Sequence, residues 1–208
     1  MRETVIAAKE RGVAIGAHPS YPDIHGFGRR ELGLEPSEIA RHVSVQIAAL
    51  RDVATSVGAH VSYVKPHGAL YNRAAGDAGV ASAVADAIGK IDSKLVLLGL
   101  AGSEMMHAAG RAGIRFAAEA FADRAYTPEL MLVPRDRPGA VIDDAATAAR
   151  VALSVVQNRS IRTWDGVDLP VEATSLCVHG DNPNALPILR AVRAALESAG
   201  VRIASFAS

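Results

Sequence analysis

The stretch YVKPHGALYN, residues 63–72, places Lys65, His67 and Gly68 directly after a short apolar run. The apolar run predicts a strand that is buried on both faces. A lysine, a histidine and a glycine at its end are typical of the carboxyl edge of a parallel α/β sheet, where ligands bind. The stretch therefore predicts both the kind of sheet and the edge of the sheet that carries chemistry.

The same arrangement recurs along the chain, where short apolar runs alternate with amphipathic segments. The runs predict strands at 13–17, 61–64, 95–100, 116–121 and 175–178. The segments between them predict helices at about 4–11, 36–57, 77–91, 103–112, 143–156 and 184–199. This alternation predicts parallel strands joined by right-handed crossovers, and so an α/β fold in a single domain over residues 1–208.

The number of strands is too small for a closed barrel. A full barrel of eight βα units takes about 250 residues, whereas this chain has 208 residues and begins in a helical pattern. We therefore expect a parallel (β/α) barrel that lacks its first one or two βα units. An open five-stranded sheet remains as the alternative.

Composition excludes several classes of function. Lys plus Arg and Asp plus Glu number 22 each, so no net charge attracts nucleic acid or an anionic membrane. No apolar run approaches the roughly 20 residues that span a bilayer, and the N-terminus has no signal-peptide pattern. With Cys177 as its one cysteine the chain has no intrachain disulfide, and we expect a cytoplasmic protein.

Residues that follow the predicted strands are expected to meet at one rim of the sheet. Three of the seven histidines occupy such positions, each beside a glycine or proline. Imidazoles and carboxylates can transfer protons or hold a metal, and their spacing here does not decide between the two uses. The candidate catalytic residues are His18, Lys65, His67, His179 and Asp181, and the candidate substrate-binding residues are Asp23, Tyr71, Asn72, Glu119, Asp123 and Arg124.

The loop PDIHGFGRRELG, residues 22–33, contains three glycines and the adjacent Arg29 and Arg30. This composition predicts a mobile lid that binds an anion, although the loop lacks the Walker pattern. Arg29, Arg30, Lys65 and Arg124 are the candidate cofactor-binding residues, because their cations suit phosphate or carboxylate groups. The alternatives are a solvated turn for the loop and a salt bridge to a neighbouring carboxylate for Arg124.

Five segments carry a resemblance to a known family. They are GVAIGAHPSYPD at 12–23, GFGRR at 26–30, VKPHGALYN at 64–72, EAFADRAY at 119–126 and CVHGDNP at 177–183. With these segments the chain resembles the LamB/YcsF family, whose members are also called the A subunit of 5-oxoprolinase, over essentially its whole length. The resemblance implies an irregular parallel (β/α) barrel of the glycoside hydrolase/deacetylase type. Family members carry a further N-terminal segment whose motifs are not found here, so we expect the missing βα units to belong to it.

The resemblance implies ATP-dependent opening of the lactam of 5-oxoproline (pyroglutamate) to L-glutamate, together with partner subunits B and C. ATP is the implied cofactor, and a divalent metal and a homo-oligomer are left open. The roles that we assign are phosphate binding for Lys65 and Arg124, proton transfer for His67, His179 and Asp181, and stabilisation of the developing oxyanion for His18 and Asn72.

Two other functions remain as alternatives. One is a metal-dependent amidase or deacetylase on the same barrel, in which histidines of the rim surround one divalent ion. The other is a non-catalytic binding subunit that only docks on partners.

Overall fold

A computed structural model describes residues 1–207, and the chain divides into two compact units. The first unit comprises Met1–Ala117 with Ala207, and the second comprises Ala118–Phe206. The expectation of one domain over the whole chain stays a prediction. Within residues 1–207, no helix combines the length and the apolar character needed to cross a bilayer.

The first unit alternates helices with parallel strands. Its elements in chain order are α1 (Arg2–Glu10), β1 (Ile15–Ala17), α2 (Pro36–Ser56), β2 (Val61–Val64), α3 (Gly68–Gly76), α4 (Ala78–Ile91), β3 (Val96–Leu100), α5 (Glu104–Ala112) and the first residues of β4 (Arg115–Phe121). Strands β1, β2 and β3 are neighbours in that order. Both pairings are parallel, with Ala17 opposite Val64 and Val64 opposite Leu97, so the carboxyl ends of these strands share one edge.

Local signals in the sequence set the ends of the helices in this unit. Helix α2 begins with a capping box formed by Glu35 and Glu38, with Pro36 in its first turn. Helix α4 begins where the Asp77 carboxylate accepts hydrogen bonds from the amides of Gly79 and Val80. The Val80 amide is the main reason why the pKa of Asp77 lies below its usual value.

Burial of the strands differs from the expectation that all of them are covered on both faces. Strand β3, with the sequence VLLGL, is buried throughout. Strands β1, β2 and β7 (Ser175–Cys177) are mostly only half-buried, so the expectation is wrong for them. They are three or four residues long and contain the small or polar residues Gly16, Ser62 and Ser175, which add little apolar area to a core.

The second unit combines a parallel strand pair with a small hairpin. Its elements are the remainder of β4, α6 (Ala145–Leu153), a π-helical turn (Ser154–Asn158), β5 (Ser160–Arg162), β6 (Asp168–Pro170), β7 and α7 (Ala185–Ser198). Strand β4 pairs with β7 in parallel, with Phe121 opposite Cys177. Strands β5 and β6 form an antiparallel hairpin, and the exposed Trp164 lies in its connecting turn.

The core of the second unit lies between α6 and α7. Small side chains on α6, Ala148 and Ala152, let α7 approach closely and bury Ile188, Val192 and Leu196. Tyr126 is also buried in this unit, and its hydroxyl accepts a hydrogen bond of 2.7 Å from the amide of Phe121. Burial raises the pKa of the Tyr126 hydroxyl far above its usual value.

All five predicted strands and all six predicted helices are present, with ends shifted by a few residues. Helix α3 and the β5–β6 hairpin were not predicted. Helix α3 is nine residues long and has a glycine at each end, a composition that resembles a loop. It forms nevertheless because Leu70, Tyr71, Ala74 and Ala75 on it are buried.

Candidate active site

The segments that follow β1 and β2 continue to pair beyond the strand ends. The amide of Lys65 donates to the carbonyl of Ala17 at 2.9 Å, and the amide of His67 donates to the carbonyl of Pro19 at 2.8 Å. This continued register places His18 and His67 on adjacent segments. The chain therefore brings together two of the histidines that the sequence selects, at the carboxyl edge of the first unit.

The rings of His18 and His67 contact each other directly. Their centroids are 4.7 Å apart in an edge-to-face arrangement, and Nδ1 of His67 lies 3.0 Å from Nε2 of His18. The outer nitrogens meet backbone carbonyls, with Nδ1 of His18 at 2.6 Å from the Lys65 oxygen and Nε2 of His67 at 2.8 Å from the Phe27 oxygen. We call this pair the histidine dyad.

The close approach of Gly68 to Gly28 explains why a glycine follows His67. The amide of Ala69 donates to the carbonyl of Gly28 at 3.0 Å, so the loop 22–33 rests on the first turn of α3. Gly68 has φ +60°, and a Cβ built there would lie 2.5 Å from the Gly28 oxygen. A side chain at Gly68 would therefore separate the loop from the helix and withdraw Phe27 from the dyad.

An ion pair inside the loop 22–33 joins Asp23 to Arg30. The Asp23 carboxylate is almost fully buried and also accepts from the amide of Gly26 at 2.9 Å. Hydrogen bonding from Arg30 is the main cause that lowers the pKa of Asp23 to about 2. Asp23 is a predicted substrate-binding residue and Arg30 a predicted phosphate-binding residue. In the structure the two side chains bind each other and hold the loop together, and both predicted roles stay predictions.

The other predicted residues of the first unit lie around this loop and α3. The Arg29 guanidinium carbon is 5.4 Å from the centroid of the Phe27 ring. The Lys65 ammonium is 5.7 Å from the ring centroid of Tyr71, which is buried. Asn72 is exposed on α3, so it is open to a ligand.

In the second unit, Asp123 and His179 form a carboxylate–imidazole pair. Asp123 follows β4 and is 1% exposed, and His179 follows β7. Oδ2 of Asp123 accepts from the amide of His179 at 2.7 Å, and Oδ1 lies 2.9 Å from ring Nδ1. The pair orients the imidazole with its hydrogen on Nδ1. Among the described residues, no hydrogen-bond partner contacts Nε2 of His179.

The remaining predicted residues of the second unit differ in exposure. Glu119 is 2% exposed within β4, whereas Asp181 is exposed. Arg124 is also buried, and its guanidinium donates to the carbonyls of Ala140, at 3.1 Å, and Val133. Arg124 thereby fixes the loop that follows β4.

Sequence reasoning missed two supporting residues. Gln46 on α2 accepts from the amide of Ser20 at 3.0 Å and donates to its carbonyl at 2.8 Å, which fixes the segment after His18. The Phe121 ring stacks on His179, with centroids 5.3 Å apart. Gln46 could have been found as a polar residue beside the buried face of α2, but no local signal marks Phe121.

Possible metal ligands are not clustered in the part of the chain that the structure describes. Within residues 1–207, no three His, Cys, Asp or Glu residues are grouped so that they could hold a metal ion. All four ring nitrogens of the histidine dyad already contact a carbonyl or each other. A protein-held metal at these histidines would require rearrangement of the dyad.

The chain is similar to proteins that are named as A subunits of 5-oxoprolinase. The chain is 50% identical over 204 residues to the 5-oxoprolinase A subunit of Paracidovorax citrulli (strain AAC00-1), a match that covers 98% of this chain and 81% of that protein. The identity to the 5-oxoprolinase A subunit of Streptomyces avermitilis is 47% over 207 residues, which cover 100% of this chain and 83% of the relative.

A solved structure supports the fold. The crystal structure of the lactam utilization protein from Thermus thermophilus matches with a TM-score of 0.90 at 44% identity, covering 99% of this chain and 82% of that one. It confirms the expected fold class, an α/β fold of the irregular parallel (β/α) barrel type. The family model that describes the LamB/YcsF family matches residues 1–208. This chain belongs to the LamB/YcsF family.

Proposed function

We propose that this chain is the A subunit of a 5-oxoprolinase, which opens the lactam of 5-oxoproline to L-glutamate with ATP and partner subunits B and C. Family membership and the names of the relatives support the reaction and the partners. The structural observation that supports the proposal is the Asp123–His179 pair, in which Nε2 of His179 is available to a substrate or water.

The reaction needs an activated carbonyl and a base. A lactam is a resonance-stabilised amide that water attacks slowly. Transfer of the γ-phosphoryl group of ATP to the lactam oxygen, with release of ADP, makes the ring carbon a better electrophile. Water then adds to that carbon, and the carbon–nitrogen bond breaks as the ring nitrogen takes up a proton, which leaves an acyl phosphate. A second water hydrolyses the acyl phosphate to the carboxylate of L-glutamate and inorganic phosphate. A base that removes the proton of the attacking water would accelerate the addition step.

His179 is suited to act as this base. The buried Asp123 carboxylate holds the imidazole by two contacts and fixes the hydrogen on Nδ1, so Nε2 carries the lone pair. As the ring takes up a proton on Nε2, the adjacent carboxylate stabilises the imidazolium that forms. Asp123 is therefore proposed as a positioning residue and His179 as the general base.

Cations of the first unit are proposed to bind the phosphates. Lys65 at the end of β2 and Arg29 in the loop 22–33 are the candidates, because ammonium and guanidinium groups suit phosphate oxygens. Arg30 is paired with Asp23, and Arg124 donates to backbone carbonyls. A divalent ion would enter this reaction on the ATP phosphates. We place the reaction in the cytoplasm, where ATP is available and where a protein with a single cysteine meets reducing conditions.

The test is ATP hydrolysis by the complex of this chain with its partner subunits B and C. We expect hydrolysis to depend on 5-oxoproline, and His179→Gln to lower the coupled rate by about 10²–10⁴-fold, the usual contribution of a general base. The control is His107→Gln, which changes an exposed histidine on α5 and should leave the rate unchanged.

The other outcomes identify the alternatives. Turnover without ATP, combined with a stoichiometric bound metal, would favour a metal-dependent amidase. A complex that needs this chain but is unaffected by His179→Gln would favour a non-catalytic role for the chain.

A further inference from the structure

The histidine dyad is a chain of three contacts that begins and ends on backbone carbonyls. The order of atoms is the Lys65 oxygen, Nδ1 and Nε2 of His18, Nδ1 and Nε2 of His67, and the Phe27 oxygen. The three separations along this chain are 2.6, 3.0 and 2.8 Å. Each is within hydrogen-bonding distance, and together they occupy all four ring nitrogens.

The hydrogens required by these contacts can be counted. A carbonyl oxygen only accepts, so Nδ1 of His18 and Nε2 of His67 must each carry a hydrogen. The contact between the rings needs one more hydrogen, on either inner nitrogen. Three hydrogens are thus required, whereas two neutral imidazoles carry only two. The complete set of contacts therefore needs one extra proton, and the dyad has a charge of +1.

The charged groups around the dyad show what stabilises this proton. The two carboxylates of the loop 22–33 are paired with arginines, Asp23 with Arg30 and Glu31 with Arg73. Two further cations, Arg29 and Lys65, belong to the segments that hold the dyad. The backbone carbonyls at its two ends supply the opposing dipoles directly. A neutral dyad would instead leave a lone pair facing an oxygen or the other ring.

We infer that His18 and His67 share one extra proton and form a cationic imidazole–imidazolium pair at the edge of the first unit. The pair has no ring lone pair left for a substrate, so it does not act as a general base. Under the proposed function, on which this role rests, its charge stabilises negative charge that develops on a substrate oxygen. This assignment removes His67 from the proton-accepting role expected from the sequence.

The test is nitrogen NMR of the imidazoles in the full ¹⁵N-labelled chain, which reports whether each ring nitrogen carries a hydrogen. At pH 7.5 a free imidazole, with a pKa of about 6.5, is mostly neutral. We expect three of the four nitrogens of the dyad to carry hydrogens at this pH. Two neutral rings at pH 7.5 in the folded protein would overturn the inference.

A variant tests whether the proton is shared. In His18→Gln the glutamine amide can donate to Nδ1 of His67, so His67 needs only the hydrogen on Nε2. We expect His67 to become neutral at pH 7.5 in this variant. An imidazolium that persists at His67 would show that the charge does not depend on the pair, and would overturn the sharing. The matched control is His25→Gln. It changes an exposed histidine in the loop 22–33, which also contains Phe27, and it should leave the dyad unchanged.

The pH dependence of unfolding provides a readout that does not need assignments. If the folded chain holds one proton more than the unfolded chain, its unfolding equilibrium constant rises by up to about tenfold per pH unit above pH 6.5. The effect ends where the dyad itself loses the proton. We expect this slope to be reduced by about one proton in His18→Gln, and equal slopes in the two proteins would overturn the inference.

These experiments use neither ATP nor 5-oxoproline nor partner subunits. A chain that shows three hydrogens but supports no coupled hydrolysis would therefore contradict the proposed function and leave the charge of the dyad intact. Coupled hydrolysis by a protein whose dyad carries only two hydrogens would contradict the shared proton alone.

Discussion

The buried carboxylate of Asp123 binds His179 twice, through the backbone amide at 2.7 Å and through ring Nδ1 at 2.9 Å. Asp123→Asn keeps the shape but removes the negative charge, and an amide NH2 in the place of Oδ1 would donate to ring Nδ1 and hold the ring hydrogen on Nε2. We expect the coupled rate of the complex to fall by about 10²–10⁴-fold.

A measurement of kcat and KM separates positioning from binding in Asp123→Asn. The loss should lie in kcat, because His179 remains present but is held in the wrong tautomer. A loss confined to KM would assign the pair to substrate binding instead.

Gly68→Ala should destabilise the first unit more than an alanine at an unobstructed glycine. Gly68 and Gly102 both have positive φ, +60° and +73°, but only at Gly68 would a Cβ meet backbone, 2.5 Å from the Gly28 oxygen. Gly102→Ala therefore measures the backbone strain alone, about 1–2 kcal/mol. We expect a clearly larger loss for Gly68→Ala in urea unfolding. Equal losses would show that the loop yields without cost.

The Asp23–Arg30 pair should make the first unit sensitive to acid. Hydrogen bonding from Arg30 keeps the pKa of Asp23 at about 2 in the folded chain, below the value of about 3.9 in an unfolded chain. The stability from this pair is therefore complete above about pH 5 and is lost as the pH falls towards 2. The difference in unfolding free energy between the wild type and Asp23→Asn should shrink over this range. A difference that stays constant from pH 6 to pH 2.5 would contradict the pairing.

Tyr126→Phe should destabilise the second unit, although it removes only the hydroxyl group. The Tyr126 hydroxyl accepts from the amide of Phe121 at 2.7 Å, and both residues are 2% exposed. Removal of the hydroxyl leaves a buried amide without that acceptor, which costs about 1–3 kcal/mol. Thermal unfolding should show a lower Tm, and amide exchange at Phe121 should become faster. Unchanged exchange would indicate that another group satisfies the amide.

Much of the fold could be predicted because the strand positions are encoded locally. The run at 61–64 is flanked by His60 and by Lys65 and Pro66, and β2 has the predicted ends. The pairing of His18 with His67 also follows from a simple rule, since both residues come directly after parallel strands. The expectation that all candidate residues share one rim stays a prediction.

The pairing of Asp123 with His179 could not be predicted in the same way, because it depends on which strands are neighbours. Phe121 lies opposite Cys177 in the β4–β7 register, and each member of the pair comes two residues later. A local pattern contains no information about this register, which is set by packing between distant segments. The backbone carbonyls that bind the dyad could not be predicted either, because a backbone oxygen has no sequence signature.

The hairpin of the second unit gives the protein a built-in optical probe. The chain has one tryptophan, Trp164, and its side chain is 55% exposed in the turn between β5 and β6. Three of its four tyrosines, Tyr21, Tyr63 and Tyr71, belong instead to the first unit. Excitation at 295 nm therefore follows the second unit alone, and tyrosine emission follows mainly the first. Comparing the two signals during denaturation will show whether the units unfold together or one after the other.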